Sequence, residues 1–253
     1  MIRIKQLTRR FGRTIAVNSL DLTIGKGEIF GFLGPNGAGK TTTIRMMVGL
    51  LAPSEGTILF GEDGRALDIR VDSLAARRQL GYVPDAPFLY EKLTGREHLR
   101  FVGELYKVPR RPLEAEIDAF IDLFNLRSVA DQPIEGYSHG MRQKVVMSAA
   151  LLHRPEYLIV DEPMVGLDPR AARIVKDLFV RLARERGTTL FISTHSLDLA
   201  EEICDRIGII SSGRLVAVGN KEELRETSRK RDSRLEEIFL ALTEEETSDM
   251  EVG

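Results

Sequence analysis

One stretch constrains this chain more than any other: Gly34-Pro35-Asn36-Gly37-Ala38-Gly39-Lys40-Thr41-Thr42. It fits G-x-x-x-x-G-K-[ST], the pattern of a phosphate-binding loop. The apolar run Ile29-Phe30-Gly31-Phe32-Leu33 before it reads as a buried strand. The run Thr43-Ile44-Arg45-Met46-Met47-Val48 after it is compatible with a helix. Strand, glycine loop and helix form the setting that separates a working loop from a chance match. Three glycines and a proline leave little side-chain bulk, so backbone N–H groups can converge on phosphate oxygens. The helix N-terminus adds the positive end of its dipole. Lys40 is expected to reach the β- and γ-phosphates as a point charge, and the Thr41 hydroxyl to ligate Mg²⁺.

The rest of the chain alternates. Residues 1–24 read as two short strands about a turn at Phe11-Gly12-Arg13-Thr14, and strands follow at 57–60 and 81–83. From residue 85 to 130 the character becomes helical. Apolar residues recur at three- and four-residue spacing over 99–106 and 113–124, with Pro109 and Pro112 between them. This predicts a small helical subdomain set into an α/β core. A helix over 141–153, a strand over 157–162, a helix over 170–186 closed by Gly187 and a strand over 188–193 come next. A helix over 197–204 and strands at 207–210 and 215–218, joined by a hairpin turn at Ser211-Ser212-Gly213-Arg214, complete the pattern. Strands alternating with helices predict a mainly parallel sheet. Residues 221–239 read as a charged helix and residues 243–253 as an acidic, disordered tail.

Composition excludes several classes. A length of 253 residues suits one large α/β domain or two interleaved subdomains. The formal net charge of −2 offers no general attraction to nucleic acid, so no nucleic-acid partner is expected, and Ser228-Arg229-Lys230-Arg231 reads as a solvated face. A single cysteine, Cys204, permits no internal disulfide and points to a reducing compartment. The basic residues near the start, Arg3 to Arg13, have no apolar run between them and do not read as a secretory signal. No apolar stretch approaches the ~18 residues needed to cross a bilayer. Work at a membrane would therefore need another chain as anchor.

Two further features carry chemistry. Asp161-Glu162 ends an apolar strand. The first carboxylate is expected to hold Mg²⁺, and the second to polarise a water aimed at the γ-phosphate. His195 follows the Ser-Thr end of another buried strand, at the carboxyl edge of the sheet where nucleotide sites lie. There it could bond the γ-phosphate or the attacking water. Phe11, taken alone, reads as an ordinary half-buried aromatic.

In order, these parts resemble the ATP-binding cassette (ABC) ATPases, over about residues 1–220. Phe11 matches the aromatic that stacks on adenine. Residues 34–41 match Walker A, and Tyr82-Val83-Pro84-Asp85 the Q-loop. Tyr137-Ser138-His139-Gly140-Met141 matches the signature usually written Leu-Ser-Gly-Gly-Gln. Residues 157–162 match Walker B, Gly166-Leu167-Asp168 the D-loop, and His195 the switch histidine. The resemblance implies an α/β fold: a P-loop NTPase (RecA-like) core with a mainly parallel sheet, an N-terminal antiparallel β subdomain and an α-helical subdomain inserted at about 86–150. Residues 221–253 would lie beyond the cassette. The chain departs from the pattern at His139 and Met141, at Phe11 where tyrosine is common, and at Asp85 where glutamine is usual. Asp85 has three open readings: metal ligand, a role through water, or a partner interface.

The resemblance also implies ATP and Mg²⁺ as cofactors and a second copy of the chain as partner. ATP would lie between Walker A of one subunit and Ser138 and Gly140 of the other, with Asp168 alongside and Glu162 and His195 catalytic. Membrane-spanning permease subunits would receive the motion at the cytoplasmic face of the membrane. The stretches Gly140-Met141-Arg142-Gln143-Lys144 and Leu235-Glu236-Glu237-Ile238-Phe239-Leu240 resemble the ABC-2 exporter branch. Two other classes compete. A soluble ABC ATPase acting on nucleic acid or ribosomes would usually carry coiled coils or two cassettes. A binding module that grips ATP without turnover would have no need of both Glu162 and His195.

Overall fold

The computed structural model describes residues 1–62, 64–227, 236–237 and 239–240. The basic stretch at 228–231 and the acidic tail at 243–253 lie outside the described residues. At the centre is β3 (Ile29–Leu33), buried at all five positions. A strand covered on both faces needs no polar alternation, which is why its sequence is a continuous apolar run. Around it lie β6 (Leu80–Val83), β7 (Tyr157–Asp161), β8 (Thr189–Thr194), β9 (Arg206–Ser211) and β10 (Arg214–Gly219). The order across the sheet is β10-β9-β3-β8-β7-β6. β6, β7, β8, β3 and β9 run parallel, and β10 is antiparallel at the edge.

A second, antiparallel sheet has the order β2-β1-β4-β5, from β1 (Ile2–Phe11), β2 (Thr14–Ile24), β4 (Glu55–Phe60) and β5 (Leu67–Asp68). Two strands expected to be short are ten and eleven residues long. β1 gains partners on both sides, and register shifts after Ile4, Leu7 and Arg9 let it bend and continue. Between the two sheets lies α1 (Lys40–Met47). Its Ile44, Met46 and Met47 share one buried cluster with Leu20, Ile58 and Phe60 of the small sheet and Phe32 and Phe191 of the large one.

The remaining helices are α2 (Ser73–Arg78), α3 (Gly95–Leu105), α4 (Arg110–Leu123), α5 (His139–Leu151), α6 (Pro169–Arg186), α7 (Leu197–Ile203) and α8 (Lys221–Thr227). α3, α4 and α5 follow β6 and precede β7, as the helical subdomain does in the sequence reading. They share a second cluster, with Leu99, Ile117, Phe120 and Val145, that continues into Val160 and Leu190 of the large sheet and Phe179 of α6. Pro112, expected to lie between helices, falls inside the first turn of α4, where an N–H has no intrahelical acceptor to lose. Among the described residues no helix is long and apolar enough to cross a membrane.

Candidate functional site

Four parallel strands end on the same edge of the sheet, and each delivers part of one site. β3 ends at Leu33 and runs into the glycine loop. β6 ends at Val83, two residues before Asp85. β7 ends at Asp161, followed by Glu162. β8 ends at Thr194, followed by His195. The carboxyl edge of an open parallel sheet is where such folds place their ligands.

The loop is held from below by the β9–β10 hairpin. The Gly213 N–H donates to the Ala38 carbonyl at 3.0 Å, and the Asn18 N–H donates to the Gly213 carbonyl at 2.8 Å. Gly34 and Gly39 are confined by backbone. A Cβ on the first would strike the Ile210 carbonyl, and one on the second the Ala16 carbonyl. Gly39, the N-cap of α1, has φ of 107°. No side chain caps α1, whereas Ser138, Asp168 and Ser196 each cap their own helices. The first turn of α1 therefore faces the site with its donors uncovered by side chains.

A cavity of about 240 Å³ opens over this turn. Its walls include Asn36, Gly37, Gly39, Lys40, Thr41 and Thr42 of the loop, together with Asp85, Asp161 and Glu162. Lys40 Nζ donates to the carbonyls of Gly34 at 2.6 Å and Pro35 at 3.0 Å. Burial holds its pKa below the usual lysine value, against the pull of Glu162 and Asp161. The Thr41 hydroxyl donates to Asp161 Oδ2 at 3.3 Å. Burial pushes the Asp161 carboxyl up, and the charges of Asp85 and Glu162 push the same way. The cavity thus sets three carboxylates against one ammonium. The donors present are hard oxygens, the kind Mg²⁺ takes, though among the described residues no three of these side chains are grouped closely enough to hold an ion by themselves.

Glu162 is turned back into the site on a residue with φ of 48°, an uncommon conformation for a side chain of this size. Its N–H donates to the Ser193 carbonyl at 2.9 Å. His195 Nδ1 lies 2.9 Å from Oε1, and the Thr194 hydroxyl donates to Oε2 at 3.2 Å. Both carboxylate oxygens are held while the imidazole remains 70% exposed. Thr194 has no role in the sequence reading; its signal is its place as the last residue of a buried strand, directly before His195.

Other expected residues lie elsewhere. Phe11 stands at the end of β1, 47% exposed, with the Arg9 guanidinium 4.6 Å above its ring. It does not line the cavity, and neither do Ser138 and Gly140. Ser138 is exposed and accepts the Met141 N–H at 3.3 Å, so α5 starts at His139 rather than after Gly140. Asp168 Oδ1 accepts the Ala171 N–H at 2.9 Å and caps α6.

With this geometry in place, comparison with known proteins is decisive. The ABC transporter family matches residues 17–165, more than half of the chain. The chain belongs to the ABC transporter family. It is 36% identical over 245 residues to the probable multidrug ABC transporter ATP-binding protein YbhF of Escherichia coli (strain K12), covering 96% of this chain and 41% of that protein. It is 36% identical over 231 residues to the bacitracin transport ATP-binding protein BcrA of Enterococcus faecalis, covering 91% and 72%. A solved ATP-binding subunit of an ABC transporter superposes with a TM-score of 0.89 at 31% identity, over 96% of this chain and 99% of that one. The chain thus spans less than half the length of the E. coli relative. As expected for an ABC cassette, it joins a P-loop NTPase core to an antiparallel sheet and a helical insertion.

Proposed function

We propose that this chain is the ATP-binding and ATP-hydrolysing subunit of an ABC transporter of exporter type, driving transport through separate membrane subunits. What carries this reading is the convergence of Lys40, Thr41, Asp161 and Glu162 on one cavity at the carboxyl edge of the sheet, with His195 fastened to Glu162. The names of the multidrug and bacitracin relatives support the exporter branch.

In this reading the loop 34–42 and the first turn of α1 bind the phosphates, and Lys40 neutralises the β- and γ-groups. Thr41 and Asp161 would hold Mg²⁺, with Asp85, in place of the usual glutamine, the further candidate ligand; when bound, the ion would supply positive charge against the phosphate oxygens. Glu162 takes a proton from the attacking water on its carboxylate. His195 and Thr194 keep that carboxylate aimed. Phe11 stacks on the adenine. Ser138 and Gly140 of a second copy close over the γ-phosphate, and Asp168 lies at that same junction. Residues 1–220 form the cassette, 86–150 its helical part and 221–253 an appendage. Phe88 and Tyr90, 83% and 61% exposed just after Asp85, offer apolar groups to a membrane-spanning partner at the cytoplasmic face.

ATP turnover by the purified chain and its variants is the test. Glu162→Gln should lower kcat by about 10²- to 10⁴-fold, the usual worth of a general base, while ATP still binds and a dimer accumulates. Near-parental turnover would remove Glu162 from that role. Lys40→Ala should lose both binding and turnover, and unchanged affinity would count against the loop. Mg²⁺ titrations of Asp85→Gln and Asp85→Ala that superpose on the parent would take Asp85 out of the metal shell. Pull-down from detergent-solubilised membranes should bring a polytopic protein in stoichiometric amount. A pool carrying only ribosomes or DNA would overturn the transporter assignment and leave the ATP chemistry standing.

A further inference from the structure

The turn bearing Ser138 and Gly140 touches the loop that follows Glu162 in the same chain, and it does so through a residue foreign to the family pattern. Gly166, with φ of +75°, has no side chain, and the space its Cβ would need is filled by the ring of His139. Ring atoms Nε2 and Cγ would lie only 3.0 and 3.2 Å from that Cβ. Gly140 approaches the same residue, since a Cβ there would come within 2.5 Å of the Gly166 carbonyl oxygen. Further along, Lys144 Nζ of α5 lies 3.9 Å from Asp168 Oδ2. The loop's other ties are Met164 and Leu167, which pack against the helical core cluster, and two backbone bonds. Val165 N–H donates to the Glu162 carbonyl at 3.3 Å and Leu167 N–H to the Met164 carbonyl at 3.2 Å.

We propose that His139 is a positioning residue: its ring clasps Gly166, fastening the loop 165–168, and through it Glu162, to the Ser138–Gly140 turn of the same subunit. The imidazole acts by its flat shape, covering a glycine that leaves room for it. Three residues separate Glu162 from Gly166, so displacement of the turn is passed to the carboxylate over a very short length of chain. The consequence rests on the two-site reading above. In a closed pair, the turn of one subunit meets the ATP held by the other. The clasp would then report that ATP to the Glu162 of its own subunit and tie the two sites together.

The test uses the full chain in four forms besides the parent: His139→Gly, His139→Phe, Gly166→Ala and the double variant His139→Gly/Gly166→Ala. Hydrogen exchange at the Val165 and Leu167 amides reads the clasp directly and needs no ATP. His139→Gly should speed exchange there by about tenfold, because a loop that loses a packing contact opens more readily, and His139→Phe should not. In ATP turnover, His139→Gly should lose about tenfold in kcat with KM for ATP unchanged, the size expected for a slightly misplaced catalytic group. His139→Phe should restore most of it. Gly166→Ala should be worse than the double variant, in which the room is returned. Exchange in His139→Gly that matches the parent would overturn the clasp. So would a His139→Phe as impaired as His139→Gly, since ring nitrogens rather than shape would then matter. If His139→Gly does not fold, the His139→Phe exchange and the Gly166→Ala pair decide alone. A parent that neither hydrolyses ATP nor pairs in its presence would sink the subunit reading, while the exchange result still judges the clasp.

Discussion

Gly37 and Gly39 sit two residues apart in the loop, both at positive φ, yet they answer to different constraints. Around Gly37, with φ of 81°, a Cβ would meet nothing within 4 Å, whereas at Gly39 it would strike the Ala16 carbonyl. Gly37→Ala should therefore cost only the left-handed conformation, about 1 kcal/mol. Gly39→Ala should cost about 3 kcal/mol or more, because backbone must move as well. Urea midpoints of the two variants check the difference. Cys204 gives a second residue-scale prediction. Burial pushes its thiol up to about 12, and its sulfur packs against Gly31. At pH 8 it should alkylate at least about a hundredfold more slowly than a free cysteine until the chain is unfolded, which iodoacetamide labelling measures. At this scale the loop was legible because its chemistry needs small residues at fixed spacing. Asp85 was legible as a departure from a pattern, but its place in the wall of the cavity came only from the fold. The meeting of His139 with Gly166 had no sequence signal, since it depends on how α5 is laid beside the end of β7.

Among the elements, α3 and α8 both start on a reciprocal cap, at α8 between Asn220 and Glu223. Thr94 Oγ1 accepts the Glu97 N–H at 3.2 Å while Glu97 Oε2 accepts the Thr94 N–H at 2.9 Å, a reciprocal capping box. Thr94→Ala should cost about 1 kcal/mol, seen as a lower urea midpoint with unchanged slope. Arg100 of α3 binds Glu114 of α4 through two nitrogens, at 2.5 and 3.0 Å, and aligns the two helices. Helices and buried strands up to residue 220 are legible in the sequence to within a few residues, because periodicity and caps are local properties; of the helix expected over 221–239, Lys221–Thr227 forms as α8, and 228–235 lie outside the described residues. β5 was missed, being only two residues long and ordered by its neighbour β4 rather than by its own sequence. The length of β1 was underestimated for a related reason. The irregular backbone at Gln6, with φ of 47°, interrupts the alternation by which a strand is recognised.

On the scale of the whole molecule, a buried and a half-buried histidine link stability to acidity. Burial holds His98 and His153 below the ordinary value of 6.5; His153 is stacked on Tyr106 at 3.7 Å with its Nε2 2.9 Å from the Leu80 carbonyl. The folded chain keeps both neutral where the unfolded chain takes up protons. Their contribution is complete above pH 6.5 and is lost progressively as the pH falls from there to the lower folded value. Relative to the parent, the double variant His98→Asn/His153→Asn should show a flatter fall in urea midpoint between pH 7.5 and 5.5. Sheet order was the least legible feature, because alternation fixes the class of fold but not which strands become neighbours. β3 illustrates what that order entails. It comes early, yet it pairs with β8 and β9, so Ile29 meets Leu190 about 160 residues later in the chain. At a synthesis rate of roughly 5–20 residues per second, the central strand waits roughly 8–30 s on the ribosome for its first neighbour. For that time four apolar side chains on a strand with two open edges are exposed to other nascent chains. The strand that anchors the finished site is thus also a segment that needs shielding while the protein is being made.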